Sequence, residues 1–159
     1  MKEQFAILPK LPIVGYLQLF TVDEKSICRI EVLKKAKPTT LSPFFLDCYK
    51  QFETFLKGEN EKIEIKLDFR IVSCFEMKVL EIIKTIPYGK VLTYKQIGER
   101  LDSKAFQAIG NACGKNPFLL IYPCHRVVGT NNAGGFAHGL KMKEDLLRLE
   151  GYDLSSSSR

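Results

Sequence analysis

Apolar and polar positions alternate with one period in the first part of the chain and with another in the second. Residues 11–22 and 26–33 are apolar or alternating runs parted by Asp23-Glu24-Lys25, a pattern that predicts a β-hairpin. Residues 43–57 place Leu46, Cys48, Phe52, Phe55 and Leu56 at mostly helical spacing, with Gly58 as a stop. Residues 62–69 set Ile63, Ile65 and Leu67 against charged neighbours, as a half-buried strand would. From residue 74 the period is helical. Phe75, Val79, Ile82, Ile83 and Ile86 predict a helix ended by Pro87-Tyr88-Gly89. Two short helical stretches, 94–101 and 105–114, flank Asp102-Ser103-Lys104, the pattern of a helix-turn-helix and also of many bundle corners. Residues 118–122 read as a short strand ended by Pro123, and 141–150 as a last helix. The expectation is an α/β chain: an N-terminal α/β domain over 1–72, a mostly helical domain over 73–153, and a flexible tail over 154–159.

The helix at 105–114 has an uneven wheel. Phe106, Ile109 and Cys113 share one face and are expected to pack inward. Gln107, Gly110, Asn111 and Gly114 share the other, which has almost no bulk. Each glycine inside a helix costs about 1 kcal/mol relative to alanine. Such a face suits either the close approach of another backbone or tight packing against a second helix.

The chemistry gathers in Cys124-His125-Arg126. A cysteine ending a buried strand beside a histidine and an arginine has surroundings that lower a thiol pKa; a small buried core residue is the alternative. Neighbours on a strand point to opposite sides, so contact between sulfur and imidazole requires a kink after Pro123 or a bridging water. Glu150 falls on the same helix face as Leu146 and Leu147. A carboxylate there is costly unless paired, and would complete a Cys–His–Glu relay. An exposed residue just before Gly151 is the other reading of Glu150.

Composition narrows the setting. Of 159 residues, 45% are hydrophobic and 26% charged, which excludes a mainly disordered chain. No apolar run reaches the roughly 18 residues of a membrane span, and the start Met1-Lys2-Glu3-Gln4 predicts no secretory signal. Five cysteines at irregular positions, two histidines and no CxxC predict neither a disulfide framework nor a zinc site. A reducing, intracellular setting is expected. The net charge of +6 favours polyanionic partners.

Pro123-Cys124-His125-Arg126-Val127-Val128 resembles the active-site motif of the O6-alkylguanine-DNA alkyltransferases. The segments Tyr88-Gly89-Lys90-Val91-Leu92-Thr93-Tyr94-Lys95-Gln96-Ile97 and Gly110-Asn111-Ala112-Cys113-Gly114-Lys115-Asn116-Pro117 resemble that family's helix-turn-helix and the hinge after it. Gly135-Phe136-Ala137 and the run from Lys143 to Gly151 resemble its substrate loop and closing helix. The likeness covers about residues 74–153.

The resemblance implies a small ribonuclease-H-like α/β N-terminal domain and a helical C-terminal domain that carries the chemistry. It implies minor-groove binding of duplex DNA, flipping of an O6-alkylguanine, and one irreversible alkyl transfer to Cys124, with no cofactor or metal. By the same resemblance His125 acts through a water as base, Glu150 orients it, and Asn116 ties the recognition helix to the active-site turn. Tyr94, Phe136, Ala137 and the backbone of Cys124 and Val127 bind the base. Lys104, Gln107, Gly110, Asn111 and Arg126 face DNA. The implied partner is duplex DNA containing O6-alkylguanine, with no membrane; the implied state is a monomer, cytoplasmic in a prokaryote or nuclear in a eukaryote.

Two positions depart from the pattern. Gln107 stands where an arginine usually fills the space of the flipped base, and His138-Gly139 replaces a frequent Gly-Gly pair. Three other readings compete. A non-catalytic damage-binding relative would lack Cys124. A cysteine hydrolase would need an oxyanion motif and leaves the paired helices unexplained. A transcription factor leaves the reactive segment unexplained.

Overall fold

A computed structural model describes residues 2–154; the tail expected over 154–159 lies, apart from Leu154, outside them. The chain divides into two compact units. One comprises the chain up to Ile71 together with Pro117–Ile121, and the other Val72–Asn116 with the described chain from Tyr122 on. The first unit therefore takes back a short piece of the second half of the sequence.

In the first unit, strands β1 (Gln4–Ile7), β2 (Tyr16–Thr21) and β3 (Arg29–Leu33) form an antiparallel sheet in the order β1-β2-β3. Leu19 opposes both Ala6 and Ile30, so its core-facing neighbours on both strands are apolar. The β2–β3 pair is the expected hairpin. Asp23 shapes its turn: its carboxylate accepts from the N–H groups of Lys25 and Ser26. Helix α1 (Pro43–Leu56) starts with proline behind the cap Ser42 and buries Phe45, Cys48, Phe52, Phe55 and Leu56. Each buried phenylalanine stabilises the unit by roughly 1.5–3 kcal/mol.

Residues 62–69 do not form the strand expected of them. Only Leu67 bridges, in parallel with Ile27. At Glu64 the Gln51 side chain of α1 takes the backbone bonds instead, accepting from the N–H and donating to the carbonyl. Residues 118–122 are not a strand either. Leu120 takes a left-handed backbone, φ 71°, which breaks the extended run although all five residues are buried.

The second unit is helical. It contains α2 (Cys74–Lys84), β4 (Leu92–Thr93), α3 (Tyr94–Leu101), α4 (Phe106–Gly114), β5 (Val127–Val128) and α5 (Leu140–Leu149), with one 3₁₀ turn over Cys124–Arg126. Capping boxes open α2 (Ser73 with Glu76) and α3 (Thr93 with Gln96). Asp102, left-handed at φ 50°, ends α3. Helices α2, α3 and α4 pack on one another, and α5 packs on the 3₁₀ turn. The parallel pair β4–β5 joins the start of α3 to the residues just after that turn.

Candidate active site

Pro123 interrupts the backbone, and Cys124, His125 and Arg126 follow in a single 3₁₀ turn rather than a strand. The kink lifts the strand rule that would hold neighbouring side chains apart. All three residues are buried; His125 is inaccessible.

Glu150, the residue capping α5, organises what lies beneath. Its Oε2 is 2.7 Å from His125 Nε2 and accepts from Arg126 Nη2 at 2.9 Å. Its Oε1 accepts from Arg126 Nε at 2.8 Å and from the Gly89 N–H at 2.9 Å. Arg126 Nη1 donates to the Ile86 carbonyl at 2.8 Å. Burial disfavours the Glu150 charge, but the hydrogen bonds from His125 and Arg126 outweigh it and bring the carboxyl down to about 2. Burial also pushes the His125 pKa down, against the pull of Glu150. A neutral imidazole that donates from Nε2 to a carboxylate leaves Nδ1 as an acceptor. That Nδ1 is buried and has no hydrogen-bond partner.

Arg126, expected among the DNA contacts, is thus an internal residue. Only 7% of it is exposed, and its guanidinium is engaged by Glu150 and a backbone carbonyl. A guanidinium that pairs a buried carboxylate through two bonds and donates a third to a backbone carbonyl is held in the interior.

Cys124 borders a cavity of about 120 Å³, together with Tyr94, Gly110, Cys113, Gly114, Gly135, Phe136 and Ala137. Burial pushes its thiol up; a hydrogen bond from Asn116 and the charge of Lys143 offset only part of this. The lowered thiol expected from the flanking histidine and arginine is therefore not what the folded site produces. The charge of Arg126 is matched by Glu150, and His125 is held neutral. Asn116, just beyond α4, also donates from Nδ2 to the Tyr122 carbonyl at 2.8 Å.

Tyr94 reaches the cavity because β4–β5 pairing sets the start of α3 beside the turn. Burial raises its phenol pKa, and a backbone hydrogen bond from Gly135 acts the other way. Gly134 has φ 72°, and a Cβ there would stand 2.8 Å from the Tyr94 ring. Only glycine admits both the turn and the ring. Val127 is fully buried, while Ala137 is exposed.

Lys143 was missed by sequence reading. It is wholly buried on α5, and Nζ donates to the carbonyls of Val127 at 2.5 Å and Gly135 at 2.9 Å. Burial brings it down to about 8, although Cys124 and Cys113 favour its charge. The signal was present: Lys143 stands at i to Leu146, Leu147 and Glu150 at i+3, i+4 and i+7, the same apolar face that singled out Glu150.

On α4, Ile109 and Cys113 are buried as the wheel predicts, and Ala112 is buried beside them, but Phe106 is 43% exposed. As the first residue of the helix it lies over the turn rather than the core, with its ring against Gly98. Lys104, Gln107 and Asn111 are exposed. An added Cβ at Gly110 or at Gly114 would meet nothing within 4 Å. Neither glycine is required by the packing of the chain itself. Among the described residues no group of His, Cys, Asp and Glu side chains could hold a metal ion, and no helix is long and apolar enough to cross a membrane.

The chain is similar to known proteins. A family model described as the 6-O-methylguanine DNA methyltransferase DNA-binding domain matches residues 74–152. The chain is 31% identical over 134 residues to a methylated-DNA–protein-cysteine methyltransferase of Sulfurisphaera tokodaii, covering 84% of this chain and 85% of the relative. A protein of the same name from Metallosphaera sedula is 34% identical over 141 residues, covering 86% and 87%. The chain belongs to the methylated-DNA–protein-cysteine methyltransferase family. Among solved structures, Mycobacterium tuberculosis OGT in complex with DNA matches with a TM-score of 0.78 and 28% identity, over 94% of this chain and 92% of that one. The family match over 74–152 takes in Cys124, His125, Glu150, Asn116, Tyr94 and the whole lining of the cavity.

Proposed function

We propose that this protein repairs alkylated DNA by direct reversal, as a methylated-DNA–protein-cysteine methyltransferase that moves a methyl group from O6-methylguanine in duplex DNA to its own Cys124. The observation that carries the reading is the thiol of Cys124 on the wall of a small cavity, next in the chain to a neutral imidazole oriented by a buried carboxylate.

The chemistry follows from these groups. His125 Nδ1, bridged to the thiol by a water, takes the Cys124 proton as the sulfur attacks. The S–C bond forms, the C–O6 bond breaks, and its electron pair stays on the guanine. Tyr94 donates a hydrogen bond to the guanine ring and the Ala137 N–H donates to O6, where charge develops. The carbonyls of Cys124 and Val127 accept from the exocyclic amine, and Phe136 borders the base. The proton lost by the thiol ends on the released guanine, and thioether formation is irreversible, so each chain acts once. A raised thiol pKa fits a thiolate formed at the moment of transfer rather than held at rest.

The target atom lies inside the base stack, so the nucleotide must be extruded. Helices α3 and α4 form a helix-turn-helix whose outer face enters the minor groove. Gly110 and Gly114 hold that face open for the sugar-phosphate, and Gln107, Asn111 and Lys104 contact the duplex. The N-terminal unit is a ribonuclease-H-like α/β domain. The protein acts as a monomer inside the cell, in the cytoplasm or, in a eukaryote, the nucleus.

Incubation with duplex DNA containing O6-methylguanine, followed by mass spectrometry of the peptides, tests the reading. One added methyl per chain on the Cys124 peptide is expected. Several turnovers per chain, or a methyl on another cysteine, contradicts it.

A further inference from the structure

Resting on that function, we propose that Phe106 is the wedge that enters the base stack when the alkylated guanine leaves it. Isolated exposed apolar residues are ordinary on protein surfaces, and Phe5 and Ile71 are more exposed than Phe106. What sets Phe106 apart is its place. It opens α4, whose outward positions are otherwise small or polar: Gln107, Ala108, Gly110, Asn111 and Gly114. It precedes Gly110, on the cavity wall, by one helical turn, which is a rise of about 6 Å along the helix axis. Base pairs repeat about every 3.4 Å. A ring at that offset falls within one or two steps of a base that occupies the cavity.

The ring is also held. An added Cβ on buried Gly98 would come within 2.6 Å of Phe106 Cε1, so the ring rests against the backbone of α3 and leaves its other side to solvent. An apolar side chain supported from behind and open in front is a preformed wedge. Apolar residues of this kind part base steps in proteins that deform DNA from the minor groove. Gln107, the next residue, is polar and exposed. It lacks the flat apolar area that stacking between bases requires.

The test compares two substrates. Duplex DNA carrying O6-methylguanine requires extrusion, whereas the free base O6-benzylguanine does not. Phe106→Ala is expected to slow transfer from the duplex about 5- to 150-fold, the range one base–aromatic stack is worth, and to leave the free-base rate unchanged. Phe106→Tyr should keep most of the duplex rate, and Gln107→Ala should slow it less than Phe106→Ala does. With 2-aminopurine at the target position, Phe106→Ala should diminish the fluorescence rise that reports extrusion.

An unchanged duplex rate in Phe106→Ala overturns the proposal. So does an equal fall in the free-base rate, which would mean that the residue supports the site rather than extrusion. A larger loss in Gln107→Ala than in Phe106→Ala overturns it in favour of Gln107. If neither substrate alkylates Cys124 of the parent protein, the function itself fails, and the free-base reaction makes that failure distinguishable.

Discussion

Around Glu150 four donors converge on one carboxylate, from His125, from Arg126 twice and from Gly89. Along the outer side of α4 and the nearby loop, Gly110, Gly114 and Gly135 leave space that no atom of the chain occupies. The two regions flank one cavity and follow opposite rules. Charge buried beneath the reacting thiol is tolerable only when fully hydrogen-bonded, so the bonds of that carboxylate are in place before any substrate arrives. The helix face gives up stability, since its glycines favour the unfolded chain and gain no contact in return. Such a surface is completed by something from outside, which is why the preorganised region reads as chemistry and the bare one as a docking face.

The comparison breaks most severely at the sulfur. Cys124→Ser is expected to abolish methyl transfer in the mass assay while duplex binding, measured by anisotropy, stays within a few-fold. A loss of both would merge the two regions into one. Glu150→Gln comes next. It leaves Arg126 buried without its counter-charge, so the chain should lose about 3–5 kcal/mol in denaturant unfolding, and the transfer rate should fall on the order of 100-fold as His125 loses its orientation. An unchanged rate would make Glu150 a structural residue only.

Lys143→Met removes the donor shared by the carbonyls of Val127 and Gly135. Each acceptor left without a partner costs about 1–3 kcal/mol. The loop at Gly135 should loosen, raising hydrogen exchange there and slowing transfer about tenfold. Gly110→Ala sharpens the contrast most directly. Its Cβ meets nothing within the chain, so unfolding should require about 0.5–1 kcal/mol more, while duplex affinity falls. An alanine that stabilises the fold without weakening DNA binding would show that the face is bare for no partner.

The same carboxylate can be probed by pH. The Glu150 carboxyl lies near about 2 in the fold against 4.5 unperturbed. Its pairing therefore stabilises the fold in full above about pH 4.5, and that contribution disappears as the pH falls toward about 2. Urea titrations should show this acid loss in the parent and a shallower one in Glu150→Gln.

Much of this was written in local pattern. The hairpin of β2 and β3, α1 and the four helices of the second unit follow from periodicity and from caps such as Ser73 with Glu76. Cys124, His125 and Glu150 stood out because reactive or charged types occur where apolar ones were due. The amino-acid order could not tell that Gln51 would satisfy the backbone at Glu64, or that Leu120 would turn left-handed. Both depend on partners distant in sequence. For the same reason Arg126 looked like a DNA contact and Cys124 like a lowered thiol. A flanking positive charge raises reactivity only if it is unmatched, and Glu150, 24 residues away, takes up the Arg126 charge. Local sequence determined which groups are candidates for the chemistry, because periodicity and residue type act within a few positions. Tertiary structure alone decided their ionisation, the burial of Lys143 and the outward ring of Phe106, because desolvation and pairing are set by whatever the folded chain brings alongside.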